Sequence, residues 1–386
     1  MTHHSSAATR WASRTQFFCS GFIFATWGVH IPTVKAHYGV DEAQLGFAML
    51  AAGCGALLGL TRAGGWIGRH GARRMAGITG VIYALLLAGL IAMPGYVALL
   101  VLLALFGICT SVFDVAINTE AAQLELQDKR PLMSGMHGMF SLGGMVGAIS
   151  GGAALGAGLS PQMHLLLVAL AVAAAIALAA TRMLPREATA SASGDHSFRL
   201  PRGALALLGA LAALGLIAEG AIYDWSVLYM QQELGSPQEQ AALAYASFSA
   251  AMAATRFGGD ALRARMAPKT LLLASATLAG ASMAFVLLVN SPWAALVGFA
   301  GVGMGFANIV PILFAAAAKV PGVAPSQGIA AVAAAAYLGF MAGPPVIGFV
   351  AKLHSLTAAL YLVVIFAGTL AVFARHGGTS RPGEQT

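Results

Sequence analysis

Long apolar segments separated by short polar intervals dominate this 386-residue sequence. A segment of about 20 apolar residues is long enough to cross the hydrocarbon core of a bilayer, which is ~30 Å thick. Twelve segments of this kind occur, and several of the intervals between them contain turn-forming pairs such as Ser160-Pro161 and Ser236-Pro237. We therefore predict twelve transmembrane helices, at residues 15–33, 43–61, 75–93, 96–124, 133–158, 162–183, 204–231, 239–257, 269–289, 293–318, 326–351 and 355–375.

The composition excludes an ordinary soluble protein. Hydrophobic residues make up 58% of the chain and charged residues only 9%, whereas about 25% of residues are charged in a typical globular domain. The 47 glycines are typical of helices that pack closely in lipid, where small residues let backbones approach each other. The predicted fold class is therefore an all-α membrane protein.

Basic residues are distributed unevenly among the polar intervals. An even number of crossings places both termini on one side of the membrane, and all Lys and Arg residues except Lys35 and Lys352 fall on that side. Because short loops rich in Lys and Arg face the cytoplasm, we expect both termini to be cytoplasmic in a bacterial inner (plasma) membrane. This distribution accounts for the formal charge of +7 without a nucleic-acid partner.

The chain divides into two related halves. Its longest polar segment, residues 184–202, is rich in Ser, Ala and Gly, a composition typical of a flexible linker. The linker would join a six-helix bundle of residues 1–183 to a second one of residues 203–386. Parallel repeats with a substrate site between them occur in one large class of transporters. Two motifs recur at a near-constant offset: Arg62-x-x-Gly65-x-x-x-Arg69 as Arg256-x-x-Gly259-x-x-x-Arg263, and Ser134, Gly147 and Gly151 as Ser326, Gly339 and Gly343.

Residues 64–74, GGWIGRHGARR, resemble the signature of the loop between helices 2 and 3 in the major facilitator superfamily. Gly68 stands where that signature has an Asp. The resemblance implies the twelve-helix fold of two pseudo-symmetric bundles, transport by alternating access, and a gating role for the residues that match. The gating candidates are Gly64, Arg69, Gly71 and Arg73 in the first copy of the repeat and Arg256, Asp260 and Arg263 in the second.

A narrower resemblance lies in helices 4 and 5. Residues 114–118 (DVAIN) and 137–143 (HGMFSLG) look like the fucose-permease-related branch of the superfamily. The resemblance implies that Asp114 is a proton-linked site and that polar residues early in helix 5 contact a sugar. Helix 1 departs from the pattern: symporters of that branch carry an acid there, whereas this chain has only Trp27 and His30.

Two acids lie well inside apolar segments, Asp114 in helix 4 and Glu219 in helix 7. A carboxylate in such a segment costs roughly 2.5–3.5 kcal/mol on insertion scales, so it is retained mainly where it faces a wet or paired interior. We therefore assign both acids to proton coupling, the alternative being a polar contact that only joins helices. Glu120 and His137 are further candidates, with a helix-end contact and a buried structural histidine as their alternatives.

Other polar and aromatic residues of the predicted helices are candidates for substrate binding. Asn118 lies one turn from Asp114 on the same helix face, and Tyr223 lies one turn from Glu219. The alternative for each candidate is a packing or hydrogen-bonding role in the core. The full set is Trp27, His30, Asn118, His137, Ser141, Tyr223, Asn308 and Tyr337.

These observations predict a secondary transporter and not an enzyme, because no phosphate loop, metal-ligand spacing or nucleophile triad occurs in the sequence. We expect a monomer that moves a small, neutral, sugar-like solute and uses the proton gradient, with no cofactor and no metal. Two alternatives stay open. One is a proton-driven exporter of amphipathic or cationic compounds, because the predicted helices place no Lys or Arg in the middle of the membrane to balance the two acids. The other is a membrane sensor that does not transport.

Overall fold

The computed structural model describes residues 6–186 and 202–376. Thirteen α-helices, with a short 3₁₀ turn at Leu87–Gly89, account for almost all of this described part. The helices are α1 (Ala7–Tyr38), α2 (Glu42–His70), α3 (Ala72–Leu86), α4 (Tyr96–Asp128), α5 (Met133–Gly156), α6 (Pro161–Ala180), α7 (Ala204–Gln232), α8 (Gln238–Arg265), α9 (Pro268–Val289), α10 (Pro292–Phe306), α11 (Ile309–Ala317), α12 (Pro325–Leu353) and α13 (Leu356–His376).

Every predicted segment contains a helix, which confirms the all-α prediction. The tenth segment is divided at Asn308 into α10 and α11, which together form one span. Ten spans in the described ranges are long and apolar enough to cross a membrane. Two predicted segments do not meet this requirement of length and hydropathy. Helix α3 has only 15 residues before the 3₁₀ turn, and α8 carries polar residues along its length. Residues 187–201 of the predicted linker lie outside the described residues.

Local sequence signals set several helix starts. Proline occupies the first turn of α6, α9, α10 and α12, where its missing N–H leaves no hydrogen bond unmade. Asp41 and Gln44 form a capping box at the start of α2, so that two backbone amides at the helix end gain partners. Gly39 ends α1 in the left-handed conformation, which glycine adopts without steric cost.

Helices pair in the same pattern within the two halves. In the first half α1 packs on α5, α2 on α4 and α3 on α6; in the second, α7 packs on α12, α8 on α10 and α9 on α13. Each helix of the first half and its counterpart in the second half therefore pack on equivalent partners. This repetition is what a pseudo-symmetric pair of bundles requires, and the halves meet where α5 packs on α8 and α2 on α12.

Reciprocal glycine contacts set the distance between helices. A Cβ atom added at Gly55 of α2 would overlap the carbonyl oxygen of Ala104 in α4, and one added at Gly107 of α4 would overlap that of Ala52 in α2. The same reciprocal arrangement joins α1 to α5. The abundance of glycine thus reflects backbone-to-backbone packing, as expected for helices in lipid.

The two ends of the bundle differ in how the halves are joined. We call the end that carries the α1–α2 loop, residues 39–41, the first-loop end, and the opposite one, where α1 begins, the N-terminal end. At the first-loop end Lys352 of α12 forms a 2.9 Å ion pair with Asp41. There also the side-chain amide of Gln238 donates to the carbonyl oxygen of Val29 and to Thr33 Oγ1, each at 2.8 Å. These contacts join the halves at the first-loop end.

A cavity between the two halves

A cavity of about 270 Å³ lies at the centre of the protein. Helices α1, α2, α3, α4 and α5 of the first half and α7 and α12 of the second contribute to its wall. Asp114 and Glu219 both line it, so the two acids singled out in the sequence face one shared space. Neither is set against lipid, which agrees with the cost of placing a carboxylate in hydrocarbon.

Asp114 is held by its neighbour one helical turn away. The side-chain amide of Asn118 donates to the carboxylate oxygen Oδ1 of Asp114 at 3.1 Å and to its backbone oxygen at 2.9 Å. Asn118 itself is not part of the cavity wall. Its side chain therefore orients the carboxylate of Asp114, and its predicted contact with the substrate stays a prediction.

Glu219 has a cationic partner that the sequence analysis did not foresee. Arg256 Nη2 lies 3.2 Å from Glu219 Oε1, and Arg256 Nη1 donates to Ser141 Oγ at 2.9 Å. Ser134 Oγ in turn donates to the backbone oxygen of Arg256 at 2.7 Å. One arginine of α8 thus joins α7 in its own half to α5 in the other half.

The position of Arg256 corrects two statements made from the sequence. The sequence analysis counts Arg256, near the end of the segment 239–257, with the basic residues on the cytoplasmic side. The helix α8 continues to Arg265, so Arg256 lies inside the helix with a side chain only 16% exposed. The statement that no basic residue balances the two acids was therefore wrong for Glu219. The predicted segment ends at residue 257 because the sequence becomes more polar there. No proline follows at once, and α8 continues to Arg265.

Aromatic side chains form much of the remaining wall. Trp27 lines the cavity from the first half, and Tyr223 and Tyr337 line it from the second. The ring of Tyr223 packs edge-on against Phe24, with centroids 5.5 Å apart, and its hydroxyl contacts Met252 Sδ at 3.3 Å. Phe24 also lines the cavity. These rings offer flat apolar faces beside the two acids.

Two ionisable residues of the cavity wall are missing from the candidates named on sequence alone. Asp224, which is 6% exposed, lines the cavity five residues after Glu219, and Tyr83 of α3 contributes to the same wall. Asp224 is a third acid in an apolar segment, which was the signal that could have selected it. Tyr83 carried no such signal, because an aromatic residue in an apolar helix is ordinary.

The two candidate histidines lie away from the cavity. His30 is fully buried, and its Nε2 lies 2.8 Å from Nδ1 of His164 in α6. His30 Nδ1 is 3.3 Å from Thr33 Oγ1. His137 packs edge-on against Phe17, with ring centroids 5.4 Å apart. The structure places neither histidine beside Asp114.

Glu120, Ser141 and Asn308 are also outside the cavity wall. Glu120 is fully buried and accepts a hydrogen bond from the backbone amide of Leu184 at 2.8 Å, which corresponds to the helix-end alternative. Ser141 contacts Arg256, as described above. Asn308, at the break between α10 and α11, accepts a hydrogen bond from Arg263 Nη1 at 3.2 Å.

The remaining gating candidates lie at the N-terminal end. Arg69 and Arg73 are exposed, on either side of the turn between α2 and α3. Gly71 forms this turn with φ 81°, a conformation that favours glycine. A Cβ atom added at Gly64 would meet nothing within 4 Å. The side chain of Asp260 lies outside the described residues, so its part in a latch stays a prediction.

Comparisons with known proteins decide the family. The family model of the Major Facilitator Superfamily matches residues 15–326 and 211–385. The chain belongs to the major facilitator superfamily. It is 32% identical over 364 residues to an uncharacterized MFS-type transporter of Yersinia pestis, covering 94% of each chain. It is also 32% identical over 368 residues to the membrane protein MosC of Rhizobium meliloti, covering 94% of this chain and 89% of that one.

Solved structures with the same fold include two transporters of different solutes. The crystal structure of a D-xylose-proton symporter aligns with a TM-score of 0.75 at 13% identity, covering 95% of this chain and 96% of that one. The nucleoside transporter NupG aligns with a TM-score of 0.66 at 16% identity, with the same coverage. These likenesses establish the twelve-span, two-bundle fold of the major facilitator superfamily. The protein is a multi-pass membrane transporter rather than an enzyme, as predicted.

Proposed function

We propose that this major facilitator protein carries a small, polar, sugar-like solute together with protons across the bacterial inner membrane. The observation that supports this most directly is the shared cavity, whose wall takes Asp114 from one half and Glu219 from the other. A carboxylate that reaches a cavity between two bundles can bind a proton in one conformation and release it in the other. Hydroxyl, carboxylate and aromatic groups around the same space suit a polar ring.

The Arg256 contacts suggest how a proton would be coupled to movement. The guanidinium of Arg256 bridges Glu219 of α7 and Ser141 of α5. When a proton binds Glu219, the attraction between that side chain and Arg256 is lost, which weakens a connection that crosses the interface between the halves. Glu219 is therefore proposed as the proton site linked to rocking, and Asp114 as the proton site beside the solute.

The conformation in the structure fits a cavity that opens toward the N-terminal end. The first-loop end is joined across the halves by the Lys352–Asp41 pair and by Gln238. Close to that end, a Cβ atom added at Gly46 of α2 would lie 2.8 Å from the carbonyl oxygen of Pro344 in α12. At the other end of α2, a Cβ atom added at Gly64 would meet nothing within 4 Å, while Ser134 of α5 and Arg256 of α8 stay hydrogen-bonded across the halves. With the cytoplasmic termini inferred from the distribution of basic residues, this is an inward-facing state.

A ligand screen followed by transport tests the proposal. The purified protein is heated with sugars, sugar acids, nucleosides and amphipathic cations at mildly acidic and mildly alkaline pH, because a bound ligand raises the unfolding temperature. A solute that stabilises the protein is then offered to proteoliposomes. Uptake driven by an inward proton gradient would support symport. Stabilisation by none of the polar solutes would count against the proposed substrate class.

A second function has one observation in its favour. In the described part of the chain, Asp114 and Asp224 line the cavity without forming an ion pair with a basic side chain. Two such carboxylates among aromatic walls would also suit an amphipathic cation, exported in exchange for protons. The pairing of Glu219 with Arg256 weakens this alternative, because it removes one of the negative charges on which it depended. Export against the proton gradient in the same proteoliposomes would favour it.

A further inference from the structure

A second cleft lies on the outer surface of the first half, away from the central cavity. It has a volume of about 440 Å³ and is formed by the turn after α2, the first turns of α3 and the end of α6. Its rim carries His70 and three arginines, Arg73, Arg74 and Arg186. All four side chains are exposed. The cleft is thus open to the surroundings and strongly basic on one side.

The floor of the same cleft is apolar and made of small side chains. Gly77 of α3 faces Ala180 of α6, and a Cβ atom added at Gly77 would lie 3.3 Å from that of Ala180. Ala177 and Ile78 continue the floor along the two helices, and both are exposed. A basic rim therefore leads into a shallow apolar groove that runs along two membrane helices.

We propose that this cleft binds a phospholipid with an anionic headgroup. The phosphate would lie among the arginines, whose guanidinium groups match phosphate oxygens, and an acyl chain would follow the groove past Ala177. Basic pockets between membrane helices are known to take anionic headgroups. The carboxylate of Glu120 interacts electrostatically with Arg73. None of the described residues that line the cleft is acidic, so Arg73 and Arg74 leave its rim basic.

Membrane topology alone does not require this cluster. The repeat that places Arg62 and Arg69 in the first half places Arg256 and Arg263 in the second, but the positions that correspond to Arg73 and Arg74 are Ala267 and Pro268. The second half keeps its basic residues nearby, at Arg265 and Lys269, and both are exposed. The concentration of arginines on one cleft is therefore a feature of the first half. The lipid site is independent of the proposed solute and of the proton sites.

Native mass spectrometry of the full-length protein tests the proposal. Delipidated protein is mixed with phosphatidylglycerol and phosphatidylcholine that have the same acyl chains, and the bound lipid is counted. The wild type should retain phosphatidylglycerol preferentially. The double variant R73Q/R74Q should lose that preference by on the order of tenfold, since each basic residue near an anionic lipid surface contributes severalfold. The matched control R265Q/K269Q removes the same charge from the other half and should retain it.

A third variant distinguishes a lipid from a free anion. A177F keeps every charge but fills the apolar groove. It should therefore reduce the binding of phosphatidylglycerol while leaving the arginines free to bind a small anion. It also serves if the double variant fails to fold. The proposal is overturned if the wild type shows no lipid preference or if both double variants lose it equally. It is also overturned if millimolar inorganic phosphate binds in an arginine-dependent way while A177F binds phosphatidylglycerol as the wild type does.

Discussion

Replacing Arg256 by Gln perturbs the connection between the cavity and the interface of the halves. The substitution removes the 3.2 Å ion pair with Glu219 and the 2.9 Å hydrogen bond to Ser141, while it keeps a polar side chain of intermediate length in α8. Glu219 is left beside the cavity without its cation. The double variant E219Q/R256Q instead removes both charges and leaves two neutral amides.

The expected magnitude follows from the burial of the pair. The side chains of Arg256 and Glu219 are 16% and 10% exposed, and removing one partner of a buried ion pair costs about 3–5 kcal/mol. We expect the lower end of that range, because water can reach Glu219 from the cavity. For a domain of 150–250 residues, 1 kcal/mol changes the unfolding temperature by about 2–4 °C, and by less in a larger protein. For a chain of 386 residues, R256Q should therefore lower the unfolding temperature by roughly 3–6 °C.

Thermal unfolding of the wild type, R256Q, E219Q, E219Q/R256Q and R265Q in detergent provides the assay. E219Q/R256Q should unfold at a higher temperature than R256Q, closer to the wild type, because no charge of the pair is then left unpaired. R265Q, an exposed arginine on the same helix, serves as control and should have almost no effect. If the double variant is destabilised by the sum of the two single effects, Arg256 and Glu219 are not coupled and the proposed link between proton binding and movement fails.

Two further predictions concern packing and the first-loop end. G107A should lower the unfolding temperature clearly, because its Cβ atom would overlap the carbonyl oxygen of Ala52 and overpacking costs about 1–3 kcal/mol. The control G64A faces open space and should be neutral. Equal effects of the two substitutions would contradict the packing account. The hydrogen bond from Lys352 holds the pKa of Asp41 below its ordinary value, so the stabilisation by this pair is present at neutral pH and is lost as the pH falls through that lowered pKa. The side chains of Lys352 and Asp41 are 50% and 35% exposed, and an ion pair in contact with solvent is worth about 0.2–1 kcal/mol. D41N should therefore lower the unfolding temperature at neutral pH far less than R256Q, and a comparable loss would show that the pair has been undervalued.

The sequence was sufficient for the fold because the requirements of a bilayer are local. Segment length, glycine content and the placement of basic residues each constrain one helix or one loop at a time, and together they led to twelve spans in two bundles. The same reasoning selected Asp114 and Glu219, since a carboxylate in an apolar segment needs a polar interior. Their convergence on one cavity followed from the parallel repeat.

The contacts around those acids could not be predicted in the same way. Whether Arg256 reaches Glu219 depends on where α8 ends and on how it is rotated against α5, and neither property is local. His30 illustrates the same limit: its position in an apolar segment suggests a functional role, whereas the structure pairs it with His164 and Thr33. Polar residues in membrane helices identify a polar interior, and only the packing decides which of them face the cavity.

Proton movement driven by the solute tests the central claim most directly. Proteoliposomes that contain a trapped pH-sensitive dye receive the solute found in the stabilisation screen, and the internal pH is followed for the wild type, D114N and E219Q. The account predicts a solute-dependent proton flux in the wild type that is lost in both variants, although both still unfold at temperatures that show an intact fold. An undiminished solute-dependent proton flux in D114N and E219Q would contradict it.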